Sequence, residues 1–79
     1  NEHIINGIIY PNPNNGSFTV ETNQNNVTLR LYSSLGKLIS TKYEAESKIH
    51  TYQNLATGTY FLLLSDDLQV VYKKIVVLK

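Results

Sequence analysis

The sequence predicts an all-β chain, a sandwich of two small antiparallel sheets with Greek-key wiring. Three observations predict it. Val, Ile, Leu, Thr and Tyr come in short runs broken by Asn, Gly, Pro and Ser, the composition of strands and turns. No apolar stripe at helical spacing lasts three turns. Seven extended runs recur at intervals of roughly 8–12 residues, the spacing of a sandwich. The same pattern fits a small open barrel, and periodicity does not give connectivity.

The first extended piece is Ile8-Ile9-Tyr10, stopped by Pro11-Asn12-Pro13. Two prolines so close remove two backbone donors, so this segment runs along an edge or leaves its sheet. Asn14-Asn15-Gly16 is a turn, because Asn and Gly tolerate positive φ. Ser17 to Glu21 alternates with Phe18 and Val20 inward, and Thr22 to Asn26 is a polar loop. Val27, Leu29 and Leu31 share one face of the third strand, and Thr28, Arg30 and Tyr32 the other. Ser33-Ser34-Leu35-Gly36 turns the chain into a hairpin with Lys37 to Tyr43. A polar connection, Glu44 to Ser47, leads to a short strand from Lys48 to Tyr52, and Asn54 to Gly58 is a tighter loop. Thr59 to Ser65 is apolar on both faces, which predicts a central strand covered on both sides. Asp66-Asp67 makes the next turn. Gln69 to Leu78 is the last strand, and its alternation slips near Lys73-Lys74, as a bulge would make it do.

Composition bounds the function. At 79 residues the chain holds one small domain. Seven basic against six acidic residues leave a net charge of +1, without the basic excess that tracking nucleic-acid phosphates requires. The longest apolar run, Tyr60 to Leu64, is far short of the ~20 residues of a membrane helix. With no Cys there is no disulfide, thiolate metal site or thiol nucleophile. The chain opens at Asn1 with no Met or charged leader, and reads as a piece of something longer.

Catalysis needs a nucleophile beside a base, paired carboxylates or a metal cluster. His3 and His50 lie in separate segments, with no third ligand at a useful spacing; His50 reads as a solvent-facing or capped imidazole. Asp66-Asp67 lacks the pattern of a calcium loop, and Glu44 and Glu46 read as solvated. No phosphate loop or nucleophile elbow appears. The chain is therefore expected to be a non-enzyme without cofactor or metal. Six Tyr raise a second possibility, a carbohydrate-binding module, in which Tyr32, Tyr43 and Tyr72 would converge on one concave face. A passive spacer of a surface protein is a third. Asn15-Gly16-Ser17 and Asn26-Val27-Thr28 match a glycosylation pattern but read as turn chemistry.

The order of the motifs is itself informative. Tyr10-Pro11-Asn12-Pro13 is followed by Gly16-Ser17-Phe18-Thr19-Val20, then by Val27 to Tyr32 with Ser33-Ser34-Leu35-Gly36-Lys37. Asn54-Leu55-Ala56-Thr57-Gly58-Thr59-Tyr60 comes next, and Lys73-Lys74-Ile75-Val76-Val77-Leu78-Lys79 closes the chain. In this order the blocks resemble the C-terminal sorting domains of the type IX secretion system of Bacteroidetes, over Ile8 to Lys79. One departure is the turn before Gly36, where the family often carries Asp and this chain has Ser33-Ser34-Leu35.

The resemblance implies an immunoglobulin-like sandwich over residues 8–79, with residues 1–7 a linker remnant of a preceding cargo protein. It also implies partners: an outer-membrane translocon that moves the cargo from periplasm to cell surface, and a sortase-like peptidase that removes the domain. The domain itself would not be an integral membrane protein. Pro11, Asn12, Pro13, Gly16, Gly36, Gly58 and Tyr60 are expected to serve folding, the glycines at turn positions with positive φ. The recognised signal is expected in the last strand, Lys73, Lys74, Ile75, Val76, Val77, Leu78 and Lys79, read by edge addition. The plainer reading makes Ile75 and Val77 core and the lysines edge protection.

Overall fold

Runs of β-branched and aromatic residues broken by turn formers become seven strands: β1 (Gly7–Tyr10), β2 (Phe18–Thr22), β3 (Val27–Ser33), β4 (Leu38–Ala45), β5 (Ile49–Tyr52), β6 (Gly58–Ser65) and β7 (Val70–Val77). The structure is a computed structural model that describes residues 4–79, apart from the side chains of Glu44 and Ala45. A three-stranded sheet has the order β1-β2-β5 and a four-stranded sheet the order β4-β3-β6-β7. Every ladder is antiparallel. The chain changes sheet between β2 and β3, β4 and β5, and β5 and β6, which is Greek-key wiring. It also leaves β1 at Pro11 and reaches the other sheet at Asn14, which makes a parallel bridge to Val77. The prolines bring this about, since a Pro has no amide to continue a ladder.

Alternation places the core. Phe18, Val20, Val27, Leu29, Leu31, Tyr60, Leu62, Leu64, Ile75 and Val77 fill the space between the sheets, joined by Tyr52 and Ile5. The Phe18 and Tyr52 rings stack with centroids 5.0 Å apart. Ile5, on the stretch expected to be linker, is wholly buried, and its amide donates to Gln69 Oε1 at 2.7 Å.

Four expectations are corrected. β6 is central in hydrogen bonding but covered on one side: Tyr60, Leu62 and Leu64 are buried, Leu63 is half-buried and Phe61 is exposed. β7 has no bulge, because its eight residues pair with β6 in one unbroken register. The slip in its sequence arises from Lys73, which sits in the inward row with Val71, Ile75 and Val77 on an edge strand, where a lysine stem can pack and its ammonium still reach water. The register shifts occur between β3 and β4 instead, at Val27/Leu29 and Leu31/Tyr32. β4 extends through Glu44 to Ala45, so part of the expected connection is strand. Finally, His50 is not at the surface. It lies on the inward row of β5 with Tyr52 and is 7% exposed. His3 lies outside the described residues.

Candidate functional site

Of the sequence blocks singled out above, Pro11–Gly16, Asn54–Gly58 and the closing strand meet at one end of the sandwich, around β7. Backbone groups of successive strand residues point alternately to opposite sides. Those of Lys74, Val76 and Leu78 face away from β6, and most would be open on an ordinary edge strand. Here Asn12 and Asn14 take them. The Asn12 side-chain amide donates to the Lys74 carbonyl at 2.9 Å, and its Oδ1 accepts the Val76 amide at 3.1 Å. The Asn14 amide donates to the Val76 carbonyl at 3.0 Å, and the Leu78 amide donates to the Asn14 carbonyl at 2.7 Å. One side-chain amide and one backbone unit thus imitate a neighbouring strand. Pro11 and Pro13 bracket Asn12 and offer no donors of their own.

The Asn54–Gly58 loop closes the same end. The Leu55 amide donates to the Gly16 carbonyl at 3.1 Å, and the Lys79 amide donates to Thr57 Oγ1 at 3.2 Å. The Tyr60 hydroxyl donates to the Ala56 carbonyl at 2.7 Å, which pins the loop to the core ring above it. Gly16 has φ +116°, and a Cβ built there would lie 2.8 Å from Lys79 Cε and 2.9 Å from the Leu55 carbonyl oxygen. Only glycine fits so close an approach. Gly58 pairs with Val77 at the start of β6. Gly36, φ +87°, lies in a turn with open space around it. In that turn Ser33 Oγ accepts the Leu35 and Lys37 amides at 3.3 and 3.2 Å, the hydroxyl making the local bonds expected of it.

Of the expected signal residues, Ile75 and Val77 are wholly buried, and Lys73 and Val76 are half-buried. Lys74, Leu78 and Lys79 are exposed. Residues that sequence reasoning missed are Asn14, 6% exposed and bonded through its backbone to β7, and Thr57. The only available signal was a polar Asn beside two prolines, which reads equally well as a plain turn.

The tyrosines divide. Tyr32 and Tyr72 flank Phe61 in an apolar groove of about 530 Å³ on the outer face of the larger sheet, with Ser33, Ser34 and Gly36 at one side. Tyr43 lies instead beside Arg30, whose guanidinium carbon is 5.6 Å from its ring centroid. On the opposite side of the sheets Lys42 of β4 places its ammonium 4.4 Å from the Tyr52 ring centroid and so ties the two layers. Burial lowers the Lys42 pKa. Burial, then the Lys42 charge, lowers that of His50, against a hydrogen bond that the imidazole donates to the Ser47 backbone, which raises it. Burial pushes the Tyr52 phenol up to about 12. Among the described residues His50 Nε2 and Tyr52 Oη have no hydrogen-bond partner. Asp66 is a turn residue, its Oδ1 accepting the Leu68 and Gln69 amides at 2.8 Å each. Those bonds, Leu68 first, lower its pKa. Among the described residues no cluster of His and carboxylates could hold a metal ion, and no helix is long and apolar enough to cross a membrane.

These features define an immunoglobulin-like β-sandwich whose last strand is fixed in place by an early loop. The family model described as the secretion system C-terminal sorting domain matches residues 8–78. The chain belongs to that family. Among solved structures it is similar to PorZ, described as an essential bacterial surface component of the type IX secretion system of human oral-microbiomic Porphyromonas gingivalis. The TM-score is 0.79 at 16% identity, over 92% of this chain and 11% of that one. At that identity the likeness shows the fold alone, and this chain corresponds to a small part of the larger protein. No curated protein matches.

Proposed function

We propose that this domain is a non-catalytic signal that directs an attached cargo protein across the outer membrane through the type IX system. The cargo precedes the domain in the chain, crosses the periplasm with it and is presented at the cell surface, where a sortase-like peptidase cuts the domain away. The observation that supports this reading is the family match over residues 8–78, taken with the way the Pro11–Asn14 and Asn54–Gly58 blocks converge on the end of the last strand. With Ile75 and Val77 inside the core, a partner that meets the folded domain finds Lys74, Leu78 and Lys79 at the surface. The signal is accordingly a folded shape carrying these charges, not an unfolded tail.

The test is export of a reporter. Behind a signal peptide and a reporter, in a type IX-competent cell, residues 1–79 should bring the reporter to the surface. Removing Lys73 to Lys79 should hold it in the periplasm, but that deletion also strips Ile75 and Val77 from the core. Lys74→Glu with Lys79→Glu leaves those contacts in place. Changes at exposed charges move stability by less than about 0.5 kcal/mol, so melting should stay put while export falls. Retention of the intact fusion would overturn the sorting reading. Normal export by both altered fusions would remove the last strand from the signal.

A further inference from the structure

Among the described residues the edge of β7 is closed over only half its length. Alternation that sends the backbone groups of Lys74, Val76 and Leu78 toward Asn12 and Asn14 sends those of Val70 and Tyr72 the same way. No described residue takes the amide or carbonyl of Tyr72 on that side, and the Lys74 amide is open too, although its carbonyl is held by Asn12. This leaves a run from Val70 to Lys74 able to pair with a further strand. The other long edge, β4, is a poorer template, because two register shifts interrupt its pairing with β3. β1 and β5 have four residues each, and β1 runs into Pro11.

The side chains along the open run define what would fit. Tyr72 projects onto the outer face beside Phe61, where the groove with Tyr32 offers an apolar seat. Lys73 and Lys74 project to opposite faces of the same edge, and neither has an ion pair among the described residues. A strand laid along this edge would carry side chains past both ammonium groups, so carboxylates there would be attracted on either face. A second copy of this chain would bring four lysines onto one seam, which disfavours self-pairing. We infer that the Val70–Lys74 edge of β7 receives an extended, acidic segment of a partner protein as an added strand, with an apolar side chain seated against Tyr32, Phe61 and Tyr72. Backbone bonds supply the attraction and the two lysines the selectivity. This deepens the sorting reading and rests on it only for the step of export at which the strand would be met.

The geometry is tested without cells. An acetylated six-residue peptide with a central Glu-Glu pair flanked by valines, which sends one carboxylate to each face, is titrated into isotope-labelled domain, with its Lys-Lys counterpart as the control. The acidic peptide should shift the amides of Val70, Tyr72 and Lys74 saturably and slow exchange at Tyr72, at a concentration at least tenfold lower than the basic one requires. Tyr72→Pro removes an edge-facing amide without touching the β6 ladder and should abolish the response, whereas Tyr72→Val, which keeps the amide, should weaken it. Should Tyr72→Pro fail to fold, Lys73→Glu with Lys74→Glu decides, by reversing the preference between the peptides. Equal or absent responses to the two peptides, or concentration-dependent dimers that occupy this edge, would overturn the inference. In cells, export of the intact fusion with unchanged export of Tyr72→Pro would overturn it while leaving the sorting reading intact. Retention of the intact fusion would overturn the sorting reading, and the peptide titration would still decide the strand site.

Discussion

Replacing Gly16 by Ala separates two costs that a glycine turn can hide. Gly16 and Gly36 both have positive φ, +116° and +87°. At Gly36 an added Cβ meets nothing within 4 Å, so Gly36→Ala pays only for the backbone conformation, about 1 kcal/mol. At Gly16 the same strain is joined by a Cβ 2.8 Å from Lys79 Cε and 2.9 Å from the Leu55 carbonyl oxygen. The lysine stem is flexible and moves. The carbonyl belongs to the backbone, and displacing it loosens the 3.1 Å bond from the Leu55 amide to Gly16, worth about 0.5–1.5 kcal/mol. The total for Gly16→Ala is about 1.5–2.5 kcal/mol, against a core that supplies on the order of 3–5 in a domain this small. In urea, with a slope of about 1 kcal/mol per molar, Gly36→Ala should lower the midpoint by about 1 M and Gly16→Ala by about 1.5–2.5 M. Adding Lys79→Ala to Gly16→Ala should recover little. Equal losses at the two glycines, or full recovery with Lys79→Ala, would refute the argument that backbone crowding at Gly16 fixes this end of the sandwich.

Leu29→Ala and Leu62→Ala, both at wholly buried positions, should each cost about 2–5 kcal/mol by thermal or chemical unfolding; near-neutral effects would mean that the inner faces are wrongly assigned. Because the folded pKa of His50 lies below its unfolded value, the folded state resists protonation. Its contribution to stability is complete above about pH 6.5 and lost as pH falls from there through the folded pKa, so His50→Leu should flatten the decline in melting temperature between about pH 7 and 5. Asn12→Ala removes both side-chain bonds to β7, and should speed hydrogen exchange at the Val76 amide while lowering stability by about 1 kcal/mol.

The strands were legible because one buried face and one wet face impose a period of two, as Val27, Leu29 and Leu31 show against Thr28 and Arg30. Where the reading failed, the cause lies in what periodicity omits. Phe61 and Leu63 made β6 look buried on both sides, yet a run that is apolar on both faces does not say what covers the second one; here it is an open sheet face with an aromatic groove. Lys73 looked like a bulge because an inward lysine is tolerable only on an edge, and edge position is a property of topology. His50 reads by type as a solvent-facing or capped imidazole, but its place in the inward row is set by pairing with Val20 on β2. The terminal lock was out of reach for another reason: Asn12 meets Lys74 and Val76 across more than 60 residues, and a side-chain amide imitating a strand leaves no mark in a hydrophobic pattern.

That lock explains why sequence blocks so far apart could belong to one signal. If β7 alone were read as an unfolded tail, nothing in Pro11–Asn14, Gly16 or Asn54–Gly58 would need to accompany it. In the fold each of these holds the terminal strand: Asn12 and Asn14 by its edge, Gly16 by admitting Lys79, and Thr57 by binding the Lys79 amide. The same arrangement spends the far half of the edge on internal bonds and, among the described residues, leaves the half beside Tyr72 open, so the domain can keep its last residues folded and still offer a strand for pairing. On that inference, folding and recognition make separable demands on β7. Substitutions at Asn12 or Gly16 should loosen the strand before they alter what a partner meets, whereas Tyr72→Pro and charge reversal at Lys73 and Lys74 should change the meeting surface in a domain that still melts as one unit.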